Sequence, residues 1–87
     1  MSPRNPTLDR VRWRCRRGML ELDLVLNAFL ERDFATLDPR KVEALCALLE
    51  RPDPELLDFV MGHQEPAEAD ERELVGLMRT VNTSIAA

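Results

Sequence analysis

The sequence predicts an all-α protein, a compact five-helix bundle in a single domain over residues 1–87. Three observations lead there: cap-proline pairs that announce helix starts, apolar residues recurring at helical spacing, and the lack of any strand with a partner. Asn5-Pro6, Asp38-Pro39 and Asp53-Pro54 each set a capping side chain before a proline at the first helical position, where the missing N–H costs nothing. The first helix is expected from about Pro6 to Arg17, with Leu8, Val11 and Cys15 on one stripe. The second, from about Met19 to Arg32, carries Met19, Leu20, Leu22, Leu24, Val25, Leu26, Ala28, Phe29 and Leu30 on nearly all sides and reads as the central element of the core. The third runs from Pro39 to about Glu50, burying Val42, Leu45, Cys46 and Leu49. A short fourth helix starts at Pro54, buries Leu56, Leu57, Val60 and Met61, and stops at Gly62, a natural left-handed C-cap. The fifth extends from Ala67 or Glu71 to Thr83 along Leu74, Met78 and Val81, with Glu68, Asp70, Glu71 and Glu73 near its positive end. Residues 1–5 and 84–87 are expected as flexible termini. Val11 to Arg16 alternates apolar and basic residues as a half-buried strand would, but an isolated strand leaves its backbone unpaired, so the helix is favoured.

A chain of 87 residues has room for one modest core but not for a core plus a deep substrate cavity, which disfavours an enzyme. With 45% hydrophobic and 32% charged residues, it has the composition of a folded globular protein. Two cysteines without a disulfide pattern, no apolar run of membrane-spanning length and no signal-peptide core predict a reducing compartment, the cytoplasm, with both thiols free. Cys15, Cys46 and His63 lack the paired spacings of a metal site, and no metal is expected. Gly18, Gly62 and Gly76 are isolated, so no phosphate loop is spelled, and no serine is arranged with histidine and acid as a nucleophile. His63 reads as support for the helix end at Gly62.

The net charge of −4 conceals an asymmetry. Residues 1–17 hold six arginines against Asp9 alone, a surplus of five positive charges that leaves nine negative charges on the remainder. Eleven arginines stand against the single Lys41, and planar guanidinium groups suit bidentate contacts better than an ammonium does. The arginine run ends at Gly18, and an apolar helix begins with Glu21 in its first turn, so Arg17, Gly18 and Glu21 set a cation, a flexible joint and a carboxylate within about one helical turn. Glu21 and Asp23 at a helix N-terminus admit two readings, stabilisation by the helix dipole or contact with a partner. Trp13 among arginines likewise reads either as cover for the core edge or as an anchor.

In arrangement and spelling, Trp13-Arg14-Cys15-Arg16-Arg17-Gly18-Met19-Leu20-Glu21-Leu22-Asp23 resembles the signature of the small succinate dehydrogenase assembly factors, the SdhE or YgfY-like flavinylation family, whose Arg-Gly-x-x-Glu core is matched in full. The resemblance extends to the apolar second helix with Phe29 and Glu31, the Leu48-Leu49 pair and Pro52-Asp53-Pro54-Glu55-Leu56-Leu57. Phe59 and Phe34 depart from it, standing where the family often has tryptophan and tyrosine. It implies a compact five-helix chaperone that assists covalent attachment of FAD to the flavoprotein subunit of succinate dehydrogenase or, in bacteria, of fumarate reductase. The reacting groups, a histidine and the flavin 8-methyl position, then belong to the partner and its cofactor. On this reading Arg17, Gly18 and Glu21 dock on the flavoprotein, Trp13, Arg12 and Arg16 anchor the contact, Asp23 belongs to the same surface, no FAD is held tightly, and the protein is a monomer outside the membrane. The alternatives are a nucleic-acid binder using Arg10, Arg12, Arg14, Arg16 and Arg17 around Trp13, disfavoured by the acidic remainder, and an antitoxin-like regulatory partner.

Overall fold

The structure, a computed structural model, describes residues 7–86, with side chains described through Thr83. It contains helices α1 (Leu8–Arg14), α2 (Leu20–Asp33), α3 (Pro39–Leu49), α4 (Asp53–Met61) and α5 (Ala69–Ala86), with one 3-10 turn at Phe34–Thr36 and no strand among the described residues. The all-α, five-helix expectation is met. No helix is long and apolar enough to cross a membrane among the described residues. The expected cap at Asn5-Pro6 and the expected flexible ends, 1–5 and 84–87, lie outside the residues whose side chains are described.

Helix α1 starts at Leu8, where the Thr7 hydroxyl accepts from the Arg10 N–H at 3.4 Å, and it ends at Arg14 instead of reaching Arg17. The early stop has a local cause: Cys15 closes the helix, and the Arg17 N–H goes to the Asp23 carboxylate instead of an α1 carbonyl. At α3 the expected cap is present, Asp38 Oδ1 accepting from the Lys41 N–H at 2.9 Å ahead of Pro39. At α4 the expected cap fails. Pro52 is the N-cap, its carbonyl accepting from the Glu55 and Leu56 N–H groups, and Asp53 is the first helical residue with its carboxylate engaged elsewhere. Gly62 ends α4 at φ +84°, with the His63 N–H on the Asp58 carbonyl at 2.8 Å and the Gly62 N–H on that of Phe59 at 3.1 Å, the paired bonds of a Schellman motif.

Phe29, Leu22, Leu26 and Leu30 of α2 are fully buried with Leu45 and Leu48 of α3, Leu56 of α4 and Leu74, Val75 and Met78 of α5. Helices α2, α3 and α4 all pack on α5, which shares the central position expected for α2 alone. Burial of α2 is one-sided: Leu20 is 74% and Leu24 49% exposed, contrary to the all-round burial expected. At 100° per residue, Leu20, Leu24 and Glu31 fall on one arc, and among the described residues no helix covers it.

Cys15 is wholly buried and Cys46 half-buried, and both are free. Desolvation pushes the Cys15 thiol from an ordinary 9.0 up to about 12, and burial raises Cys46 as well. The unfolded chain ionises Cys15 first, so its contribution to stability is complete below pH 9.0 and is lost as pH rises toward about 12. A thiol reagent applied to native protein near neutrality should therefore modify Cys46 and leave Cys15 unmodified until the chain unfolds. Equal labelling of the two under native conditions contradicts this packing.

Candidate functional site

The α1–α2 connection, Cys15 to Met19, is shaped by two aspartates. Asp23 sits in the first turn of α2, whose N-cap Met19 has no side chain able to cap. Its Oδ1 accepts from the Arg17 N–H at 2.8 Å and its Oδ2 from the Gly18 N–H at 3.2 Å, so one carboxylate closes the loop back onto the helix. Gly18 adopts φ +84°, a conformation costly for any residue with a Cβ. A Cβ built there meets nothing within 4 Å, so the glycine is required by the backbone and its outer side is open.

Arg17 turns inward. Its Nε donates to Asp53 Oδ1 at 2.7 Å, Nη1 to the Leu49 carbonyl at 2.6 Å and the Arg14 carbonyl at 3.1 Å, and Nη2 to the Arg51 carbonyl at 2.7 Å. The side chain is 14% exposed. Helix α3 has no basic residue in its last turn and no glycine after it, so Arg17 supplies from another segment the donors and positive charge that its terminal carbonyls lack. Beside it, Arg51 pairs with Glu71 of α5 at 3.2 Å and Glu55 at 3.4 Å and lies over the Phe59 ring at 5.6 Å. Glu71 is nearly buried, and the Arg51 Nε is buried without a hydrogen-bond partner.

The remaining predicted residues face outward. Trp13 is 70% exposed, which excludes it as cover for the core, and the Arg16 guanidinium lies 5.1 Å from its ring centroid in cation–π geometry. Asp9, Arg12, Trp13 and Arg16 line an open cleft of about 290 Å³. Arg12 pairs with Glu31 at 3.8 Å, bringing the arginine face of α1 beside the uncovered arc of α2. Glu21 is exposed in the first turn of α2 and has no side-chain hydrogen bond or ion pair among the described residues. The structure thus divides the predicted set: Arg17 and Asp23 hold the loop from within, while Trp13, Arg16, Gly18 and Glu21 are exposed and Arg12 is half-exposed. Leu20 and Leu24 join the exposed group, having been read as core. The signal that distinguishes them is their arc, shared with Glu31 and not with Leu22, Val25 or Phe29. No cluster of histidine, cysteine, aspartate and glutamate is arranged for a metal ion among the described residues.

Arg17→Ala should cost about 2–3 kcal/mol in urea denaturation, since a charge-assisted pair and carbonyl acceptors lose their donor together. Arg17→Lys should recover little of it, because an ammonium cannot reproduce the planar fork. A loss below about 0.5 kcal/mol for Arg17→Ala would refute the internal role.

Comparison with known proteins assigns the chain to a family. A profile of the Sdh5 family, described as flavinator of succinate dehydrogenase, matches residues 9–82. The FAD assembly factor SdhE of Pectobacterium atrosepticum is 38% identical over 74 residues, covering 85% of this chain and 84% of its own. That of Coxiella burnetii is 41% identical over 66 residues (76% and 80%), and that of Legionella pneumophila 43% over 75 residues (86% and 94%). Since profile and relatives both span most of the sequence, and α2, α3, α4 and the Arg17–Glu21 junction fall within the matched segment, the chain belongs to the Sdh5 family of succinate dehydrogenase flavinators.

Proposed function

We propose that this protein binds the flavoprotein subunit of succinate dehydrogenase, or of the related fumarate reductase, and promotes covalent attachment of FAD without itself catalysing a reaction. The observation that carries the proposal is Glu21, an exposed carboxylate with no side-chain hydrogen bond or ion pair among the described residues, placed next to a loop that Asp23 and Arg17 tie down. Beyond the dipole interaction at the start of α2, this carboxylate makes no contact among the described residues, which leaves it available for a charge-assisted contact that steadies one conformation of a partner. Trp13 and Arg16 bring the residue types that dominate interface energetics, and the open side of Gly18 lets a partner backbone approach.

FAD belongs to the partner on this reading. Two open surface clefts among the described residues, of about 290 and 240 Å³, fall below the ~300–1,000 Å³ of ordinary small-molecule pockets, which supports that reading. No glycine-rich turn stands ready for a pyrophosphate. The protein acts as a monomer in the cytoplasm. A second reading, contact with nucleic acid through Arg10, Arg14, Arg16 and the Trp13 face, draws on the same exposed indole. It predicts binding that falls steeply with salt in proportion to phosphates neutralised, whereas an aromatic-anchored protein contact loses less.

Glu21→Ala should leave helical content unchanged, cost at most about 1 kcal/mol of stability through the lost dipole interaction, and lower the yield of covalent flavin severalfold while the partner still binds FAD non-covalently. Gly18→Val should be worse, since it strains the φ +84° joint and fills its open side. The measurement is in-gel flavin fluorescence of the denatured flavoprotein subunit from cells carrying each variant. Wild-type fluorescence with Glu21→Ala would place the working surface elsewhere.

A further inference from the structure

Asp53 stands 36 residues from Arg17 in sequence, yet its carboxylate is the charged acceptor for that guanidinium, at 2.7 Å. The other acceptors of Arg17 are main-chain carbonyls. Asp53 also does not serve as the cap its sequence context suggests: Pro52 holds the N-cap position of α4 without a side-chain cap bond, its carbonyl takes the Glu55 and Leu56 N–H groups, and Asp53 is the first helical residue. What the carboxylate does instead is fix the head of Arg17, while Asp23 fixes the backbone of the same residue. Arg17 is therefore held at both ends, and the residues that face outward are attached directly to it. Gly18 follows it, Glu21 lies one turn further on, the Arg16 N–H donates to the Trp13 carbonyl at 3.1 Å, and Arg17 Nη1 donates to the Arg14 carbonyl.

We infer that Asp53 is a positioning residue for partner engagement, holding through Arg17 the loop conformation in which Gly18, Glu21 and Trp13 meet the flavoprotein. The inference rests on the docking reading above. Asp53 is part-buried against Arg17, so its carboxylate is already engaged within the fold. Asp53 is the one charged acceptor among the contacts of the Arg17 guanidinium, and a loop that loses it samples other conformations, so apparent affinity falls in proportion to the competent fraction. Asp53 and Arg17 also lie beside the Arg51–Glu71 pair, so the junction that orients the loop is continuous with the start of α5.

The test is the affinity of purified full-length chain for the purified flavoprotein subunit, measured well below the melting temperature of each variant. Asp53→Ala should weaken binding about tenfold, and Asp53→Asn, which keeps the oxygen but not the charge, about threefold. Amide exchange of Arg17 and Gly18 should quicken in the same order. Val81→Ala, a core truncation more than two turns along α5 from Glu71, should lower the melting temperature at least as much and bind as wild type. Wild-type affinity in Asp53→Asn or Asp53→Ala would overturn the inference, as would a loss in all three variants that merely follows melting temperature. If Asp53→Ala does not fold, Asp53→Asn alone decides. Glu21→Ala is measured alongside: wild-type affinity there refutes the docking reading itself, whereas lost affinity there with intact Asp53 variants refutes only the positioning role.

Discussion

The architecture depends on where one guanidinium goes. Arg17 leaves the end of α1, reaches the gap between α3 and α4, and joins the carbonyls of Arg14, Leu49 and Arg51 to the carboxylate of Asp53. Neither end of that gap is self-sufficient, since α3 lacks a C-terminal cation or glycine and the chain must turn at once into α4. A planar group with several directed donors satisfies these acceptors together, and no other side chain offers that geometry. Because the same residue begins the turn into α2, the contact that closes the α3–α4 gap also sets the direction in which α2 starts.

This arrangement separates holding from presenting. Donors and acceptors that point inward, Arg17, Asp23 and Asp53, satisfy one another, and the nearly buried Glu71 carboxylate is paired with Arg51, which also meets Glu55. Facing outward are an indole under a guanidinium, two exposed leucines and an unpaired glutamate. A small single-core protein can hold a surface of fixed shape, and a fixed surface binds without the entropic cost of ordering itself. An assembly role that holds a partner's reactive groups in place requires this and little else.

Much of the fold was legible from local chemistry. Asp38-Pro39 caps α3 and Gly62 ends α4 as their spelling indicates, because both signals act on the backbone within a few residues. Asp53-Pro54 carries the same spelling and does something else, since a guanidinium 36 residues away competes for its carboxylate and wins by charge. The end of α1 was placed three residues too late for the same reason: Asp23 removes the Arg17 N–H from the helix by a contact that periodicity does not register. Leu20 and Leu24 show the converse limit. Apolarity marks residues that leave water, but not whether their cover is this chain or another, so an exposed apolar arc reads as core until the neighbouring helices are placed. The set of candidate residues was named from the sequence, whereas its division into inner and outer members required the packing.

The outward role of this surface is most directly tested at Trp13, the only tryptophan in the chain. Incorporation of 5-fluorotryptophan gives a single fluorine resonance in this chain that the unlabelled flavoprotein subunit does not obscure. Titration with that subunit should shift or broaden the resonance to saturation at one equivalent, and Glu21→Ala in the labelled chain should abolish the response. A resonance unchanged through a stoichiometric excess of subunit, under conditions where the two proteins co-elute, would show that the complex forms through another face.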